Sequence, residues 1–509
     1  MVCGGLILSL TLWFKLGMDQ SIYCYGAWVW KHYHLPPYLG VWDLNFPGIF
    51  FLHRLILEIF GESILGFRFF DFLVQLSILV GIFYLGKKLS GSALAGFFSA
   101  LFYSIYYYSL NFWGTGQREG FVFWLLLFTL MLELWITNKL WLRALFQGLF
   151  LGFAFLIKPT YGLSWLIFGA GLLWELRQKK EGIWKEMGLF VFALLFFPFL
   201  ILLYYFTCGG LRELYLATIW YNFEIYARLK PSGFYLVSFL REEPLLMVFG
   251  FLGVYYQFLD NRKQEKWFWL GVFLIFQALF SFLVQGKYLV SYHLIPFFGL
   301  MCLFSGPALM RLAQSLLNQS QGKVSQIGVR IFYLLVLILM VAGVGESQLY
   351  FAFKYCFRHL EPAYLAQIGT PADRLLTQNY QLANYLKLVI KDQEQIGLFS
   401  QHPLLAYLLK KKLPSRFVCV QHLLFSPSRK RLTEQQKKWI EEYTEAIIKA
   451  SPRFFILLDY QILFPIAVSE PSLGRAFEER FPALRDFIFS HYQLWFKSGK
   501  IQIYRKNRE

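Results

Sequence analysis

The sequence predicts a polytopic α-helical membrane protein of about 11 transmembrane helices, followed by a small C-terminal extracytoplasmic α/β domain. Three observations carry this. Of 509 residues, 57% are hydrophobic, 20% aromatic and only 16% charged, with a mean hydropathy of +0.46. A soluble protein of this length has no interior able to hide so much apolar surface. The apolar residues also come in separate runs of spanning length, and that pattern stops near residue 347. The expected division is 1–347 for the membrane domain, with a first outer-face loop at 18–64, and 348–509 for the tail domain.

The first apolar run, Val2–Gly17, has neither a basic leader nor a small-residue cleavage signal before Asp19, so an uncleaved first span is expected. An aromatic-rich amphipathic stretch follows, with a Pro-Pro turn, then Asp43 and a Pro-Gly pair. Ile49–Phe60 is apolar but short and broken by His53, Arg54 and Glu58, which suits an interfacial helix. Spans are expected near 65–86, 93–110, 120–137, 144–157, 160–176, 187–206, 243–259, 267–285, 292–310 and 329–347, most of them without polar residues in mid-run. In the tail, Gln395–Ser400, Arg416–Val420 and Arg453–Asp459 read as buried strands. An amphipathic helix opens on Thr433 and runs to Ala450, and the chain ends in a hairpin turning at Ser498-Gly499.

The net charge of +18 is spread over short clusters and forms no single basic face, which argues against nucleic acid as a partner. Lys87-Lys88, Lys139/Arg143, Arg177/Lys179/Lys180/Lys185, Arg262/Lys263/Lys266 and Arg311/Lys323/Arg330 occupy alternate loops and mark the cytoplasmic side. The N-terminus then lies inside and the tail outside, in a cell (inner) membrane protein. The 6 cysteines are scattered without a CxxC or other metal-ligand spacing.

The unusual polar residues fall on the outer side: Asp19, Asp43, Arg118-Glu119, Lys158 in GFAFLIKPTYG, and Lys287 with His293 in QGKYLVSYHLIP. Each has a plain explanation: an N-cap for Asp19, a helix dipole for Glu119, snorkelling for the lysines. Together they alternate acids and bases at one membrane boundary, which suits a reaction where a hydroxyl loses a proton while a phosphate leaves. In that reading Asp19 is the general base and Glu119 orients the acceptor or pairs with a cation. Lys158, Lys287 and Arg118 hold the phosphate with Tyr288 and His293 nearby, and Asp43 and Asn45 belong to the acceptor-side loop.

The order of an Asp after the first span, W-D-x-x-x-P-G, an acid opening a later span, G-x-A-F-L-x-K-P-T and G-K-x-x-x-S-Y-H-x-x-P resembles the GT-C superfamily of integral-membrane glycosyltransferases. Within it, the chain looks like the protein O-mannosyltransferase and lipid A aminoarabinose transferase group. The resemblance covers roughly 1–345 and implies an extracytoplasmic transfer from a polyprenyl-phosphate-linked sugar to an acceptor lipid, glycan or protein. It implies that Asp19 matches the catalytic Asp, Glu119 the second acid, and Lys158 and Lys287 positions near the donor phosphate. Two departures stand out. The family's Asp-Glu is Asp19-Gln20 here, which does not support a divalent metal, and the family's Lys-Pro in the W-D turn is Asn45-Phe46, which removes one phosphate-binding cation. A lipid-linked-substrate transporter or flippase, a polysaccharide polymerase or ligase, and an assembly protein stay open as alternatives. The tail, rich in Lys and Arg, is expected to bind or position acceptor.

Overall fold

A computed structural model describes residues 1–179, 183–229, 243–260, 265–285, 291–319, 327–328, 330–336, 371–426, 431–460 and 472–507. The chain separates into two compact units. One comprises Met1–Lys15, Ser63–Leu203 and Gly233–Arg358, the other Leu16–Glu62, Tyr204–Ser232 and His359–Glu509.

The first unit is helical. Ile64–Ser90 opens on Ser63, whose hydroxyl accepts from the Gly66 amide at 2.9 Å, and it ends at Gly91 with a left-handed φ of 73°. Ala93–Ser109, Arg118–Trp135, Leu140–Ile157, Leu163–Lys179, Ile183–Thr207, Pro244–Leu259, Lys266–Gln285 and Ile295–Gln319 follow. Among the described residues five helices are by themselves long and apolar enough to span a bilayer: Ile64–Ser90, Leu140–Ile157, Trp184–Thr207, Lys266–Gln285 and Tyr292–Ser315. These make the chain an integral membrane protein. The span predicted at 329–347 lies, apart from 330–336, outside the described residues.

Helix Ile295–Gln319 packs against Pro244–Leu259 and Ala93–Ser109. A Cβ at Gly253 would stand 2.0 Å from the Phe304 carbonyl oxygen, and one at Gly306 2.1 Å from that of Ala95. Glycine is what lets these backbones touch, the usual device where helices associate without a hydrophobic driving force.

The runs are less purely apolar in effect than their composition suggests. Arg143 pairs with Glu133 at 3.5 Å and also with Glu175; Lys266 pairs with the same two acids, and Gln147 donates to Glu133 at 2.7 Å. Mutual pairing offsets the cost of taking these charges out of water. The cluster gathers at the helix ends that carry Lys139, Arg177 and Lys179, the end read from the sequence as cytoplasmic.

The second unit contains a four-stranded sheet: β1 (Ile396–Phe399), β2 (Phe454–Leu458), β3 (Tyr492–Ser498) and β4 (Ile501–Lys506), in the order β1-β2-β4-β3. β1 and β2 are parallel, so their connection must cross over, and helix Glu434–Ala450 lies within it. Thr433 caps that helix as expected, in a reciprocal capping box with Gln436. The terminal hairpin turns at Gly499, where φ is 54°. The strand expected at Arg416–Val420 does not form. Its backbone is engaged singly instead: the Arg416 carbonyl accepts from Trp42 N at 2.8 Å, and Val420 N donates to the Ser400 carbonyl at 3.0 Å.

Helices Met18–Tyr33 and Gly48–Phe60 belong to this unit. The Tyr25 hydroxyl donates to the Lys411 carbonyl at 3.1 Å and accepts from Leu413 N at 2.7 Å. Arg416 donates to the Tyr38 carbonyl, to Glu213 at 2.6 Å, and as a fork to Glu442 at 2.7 and 2.9 Å. One guanidinium thus joins all three stretches of sequence from which the unit is made.

Candidate active site

In the first unit, three predicted residues converge. Glu119 lies in the first turn of Arg118–Trp135. Lys158 ends Leu140–Ile157 in extended backbone, because Pro159 disfavours a helical predecessor. His293 enters from the short turn Ser291–Leu294 ahead of the following helix. All three are buried, Glu119 completely. Lys158 Nζ is bonded to Glu119 Oε1, and His293 Nδ1 lies 2.6 Å from the same oxygen.

That contact with a carboxylate requires a proton on His293 Nδ1. Lys158 Nζ, 3.4 Å from Nδ1, then has nothing to donate to there. With one Lys158 N–H given to Glu119, the ammonium retains further donors for an oxyanion. Arg118, half-buried, precedes Glu119 directly. With a neutral imidazole the sum over Arg118, Glu119 and Lys158 is one positive charge. Next to Lys158, the Thr160 hydroxyl meets Ser281 at 2.5 Å, and Gln277 donates to the Thr160 carbonyl at 2.8 Å.

The second unit holds the other predicted group. Asp19 stands in the first turn of Met18–Tyr33, half-buried, and the N-cap there is Gly17. Asp43 is fully buried, and its Oδ1 accepts from Asn45 N at 2.8 Å in a side-chain-closed turn. The Asn45 carbonyl accepts from Tyr38 at 2.6 Å, and the Leu44 carbonyl from Asn222 at 2.9 Å. Trp42 packs in a ring cluster with Tyr221, Phe417, His422 and Trp439. Burial pushes the Cys419 thiol well above its ordinary pKa, and the carboxylates of Asp43 and Asp19 push it further. Both acids therefore act on one thiol. Lys287 and Tyr288 lie outside the described residues.

Reading the sequence missed the partners that support these groups. Arg68 and Asp71, four residues short of Gln75 in the second case, sit inside an apolar run; their i, i+3 spacing on one helix face was the available signal. Asn222 and Cys419 had none. No group of three or more His, Cys, Asp or Glu is gathered for a metal among the described residues.

The apolar helices make a polytopic membrane protein, and its fold is that of the GT-C glycosyltransferases. Residues 45–202 match the family described as dolichyl-phosphate-mannose-protein mannosyltransferase. Over 99% of its length the chain superposes on 97% of ArnT from Cupriavidus metallidurans in the apo state, with a TM-score of 0.58 and 12% identity. The same enzyme bound to undecaprenyl phosphate matches with a TM-score of 0.55 and 12% identity, covering 99% of this chain and 96% of that one. No curated protein sequence matches. The superfamily resemblance read from the motifs is borne out in the fold.

Proposed function

We propose that the chain is an inverting glycosyltransferase that moves one sugar from a polyprenyl-phosphate donor to an acceptor hydroxyl or amine on the extracytoplasmic face. The observation that carries this reading is the buried Glu119–Lys158–His293 cluster beside Arg118, which has the surplus positive charge a lipid phosphate needs. The fold supports it, since one structure sharing that fold holds undecaprenyl phosphate.

In this mechanism Lys158 and Arg118, with Lys287, stabilise the phosphate as the glycosidic bond breaks and negative charge collects on the leaving oxygen. Fixed cations then favour the transition state over the ground state. His293 and Glu119 hold Lys158 in register. Asp19 accepts the acceptor's proton as its oxygen or nitrogen attacks the anomeric carbon from the side opposite the phosphate, which inverts that centre. The tail binds acceptor.

The test is transfer by purified protein in proteoliposomes, supplied with undecaprenyl-phosphate-linked sugars and a cell-envelope acceptor extract, read by mass spectrometry. Sugar-modified acceptor with equimolar release of undecaprenyl phosphate is expected. Movement of intact lipid-linked sugar across the bilayer without bond cleavage would overturn the reading in favour of a flippase.

A further inference from the structure

Arg68 is fully buried, one turn into helix Ile64–Ser90, and no role in the proposed chemistry uses it. Its guanidinium spends all three nitrogens on backbone. Nε donates to the Phe14 carbonyl at 3.2 Å and Nη2 to the carbonyls of Lys15 and Phe112, the latter at 3.3 Å. Nη1 donates to the carbonyl and hydroxyl of Thr115, at 3.2 and 3.0 Å. Asp71 lies 3.9 Å away, too far for a direct hydrogen bond, and instead accepts from Tyr107 at 2.8 Å and Gln75 at 3.0 Å. The Tyr107 hydroxyl in turn accepts from the Gly116 amide at 2.7 Å.

These bonds fall on an irregular turn. Asn111 and Gly116 both have left-handed backbones, with φ of 52° and 68°, and a Cβ at Gly116 would press on the Phe67 ring at 2.7 Å. Asn111–Gly114 is a single helical turn that does not continue, so the carbonyls of Phe112 and Thr115 meet no further turn of that helix and accept from Arg68. Directly after this turn come Arg118 and Glu119.

We propose that Arg68 directly, and Asp71 beside it through Tyr107, are the positioning elements that fix the 111–117 turn and so aim Arg118 and Glu119. The inference rests on the reading of Arg118 and Glu119 as part of a phosphate site. A lysine cannot replace the guanidinium, because one ammonium cannot reach carbonyls from two chain segments in a planar fork. The arrangement resembles a splint: a rigid planar group on a long helix, tying to that helix a turn whose own side chains, Asn111, Thr115 and Gln117, bond within the turn at 2.7–2.8 Å.

The experiment uses the full-length protein in nanodiscs as wild type, Arg68→Lys and Tyr107→Phe. Tyr107→Phe keeps every Arg68 bond and removes the link from Asp71 through the phenol to the Gly116 amide, so it stays informative if Arg68→Lys does not fold. Amide hydrogen exchange and affinity for undecaprenyl phosphate are measured. Expected are exchange about tenfold faster in peptides covering 111–119, unchanged exchange in 140–157, and affinity lower by about tenfold for Arg68→Lys and less for Tyr107→Phe. Unchanged exchange at 111–119 in the folded variants overturns the proposal. So does faster exchange with affinity held within about twofold, since Arg68 would then be structural only. A wild type that binds no undecaprenyl phosphate defeats the donor reading instead, and exchange at 111–119 alone then decides whether Arg68 fixes the turn.

Discussion

Replacing Asp19 by Asn keeps its shape and hydrogen bonding and removes its basicity. A general base is worth about 10²–10⁴-fold, so turnover at saturating donor should fall by that factor with donor binding unchanged. Turnover within about fivefold of wild type would reduce Asp19 to a charge favouring a helix N-terminus. Lys158→Met should act differently, because it leaves the Glu119 carboxylate buried without its lysine. Stability should drop by about 3–5 kcal/mol, and kcat/KM by about 2–4 kcal/mol in transition-state terms. Adding Glu119→Gln should restore the melting temperature and leave activity low, whereas recovery of both would place Lys158 in a structural role. In the second unit His402 is held neutral by burial, its pKa lowered to about 4, and His422 likewise to about 3. The unfolded imidazoles bind protons below about 6.5 and the folded ones refuse them, so stability is lost as pH falls through the interval from 6.5 to 4. For His402 the loss by pH 5 is about 2 kcal/mol. Denaturation midpoints measured from pH 7 to 4.5 should fall steeply for wild type and less steeply for His402→Asn; equal slopes would remove the histidine from the explanation.

At the level of elements, local signals reported well and distant ones did not. Thr433 with Gln436, and Ser498-Gly499 between alternating strands, state their structure within a few residues, and both devices are present. Thr433→Ala should accordingly cost about 1 kcal/mol, seen as a small fall in the melting midpoint. Arg416–Val420 misled because a run of buried residues looks the same whether its backbone pairs in a ladder or is satisfied by Trp42 and Ser400 from elsewhere. The convergence of Glu119, Lys158 and His293 was legible because each stands at a helix end expected on one face. Arg68 was legible only as a charge paired with Asp71 in an apolar run; its partners were not, since all but the Thr115 hydroxyl are carbonyls, and a carbonyl has no letter in a sequence. The helix contacts at Gly253 and Gly306 were equally silent. Gly253→Leu should force Pro244–Leu259 off Ile295–Gln319, and a folded, stable Gly253→Leu protein would contradict the close packing described.

For the molecule as a whole, the alternating basic loops predict that the end of the chain is extracytoplasmic. A reporter fused after Ser347 that is active only in the cytoplasm would overturn the orientation and the outer-face reaction with it. Arg416 has a further consequence, which concerns time. The segment containing Trp42 and Tyr38 is complete once residue 62 has been made, but the guanidinium and the tryptophan that enclose it are encoded at 416 and 439. Ribosomes add about 5–20 residues per second, so roughly 20–70 s separate the synthesis of the first stretch from that of Arg416. Until residues 204–222 are made, helices Met18–Tyr33 and Gly48–Phe60 have no partner of their own unit except each other. Then Tyr204 packs on Trp30 and Phe51 and Asn222 bonds the Leu44 carbonyl, while the side that Arg416 and Trp439 cover stays open for the whole interval. A chain released before residue 416 leaves Trp42 without Phe417 and Trp439 and the Tyr38 carbonyl without its guanidinium, and it should be cleared faster than the full-length protein in a pulse-chase.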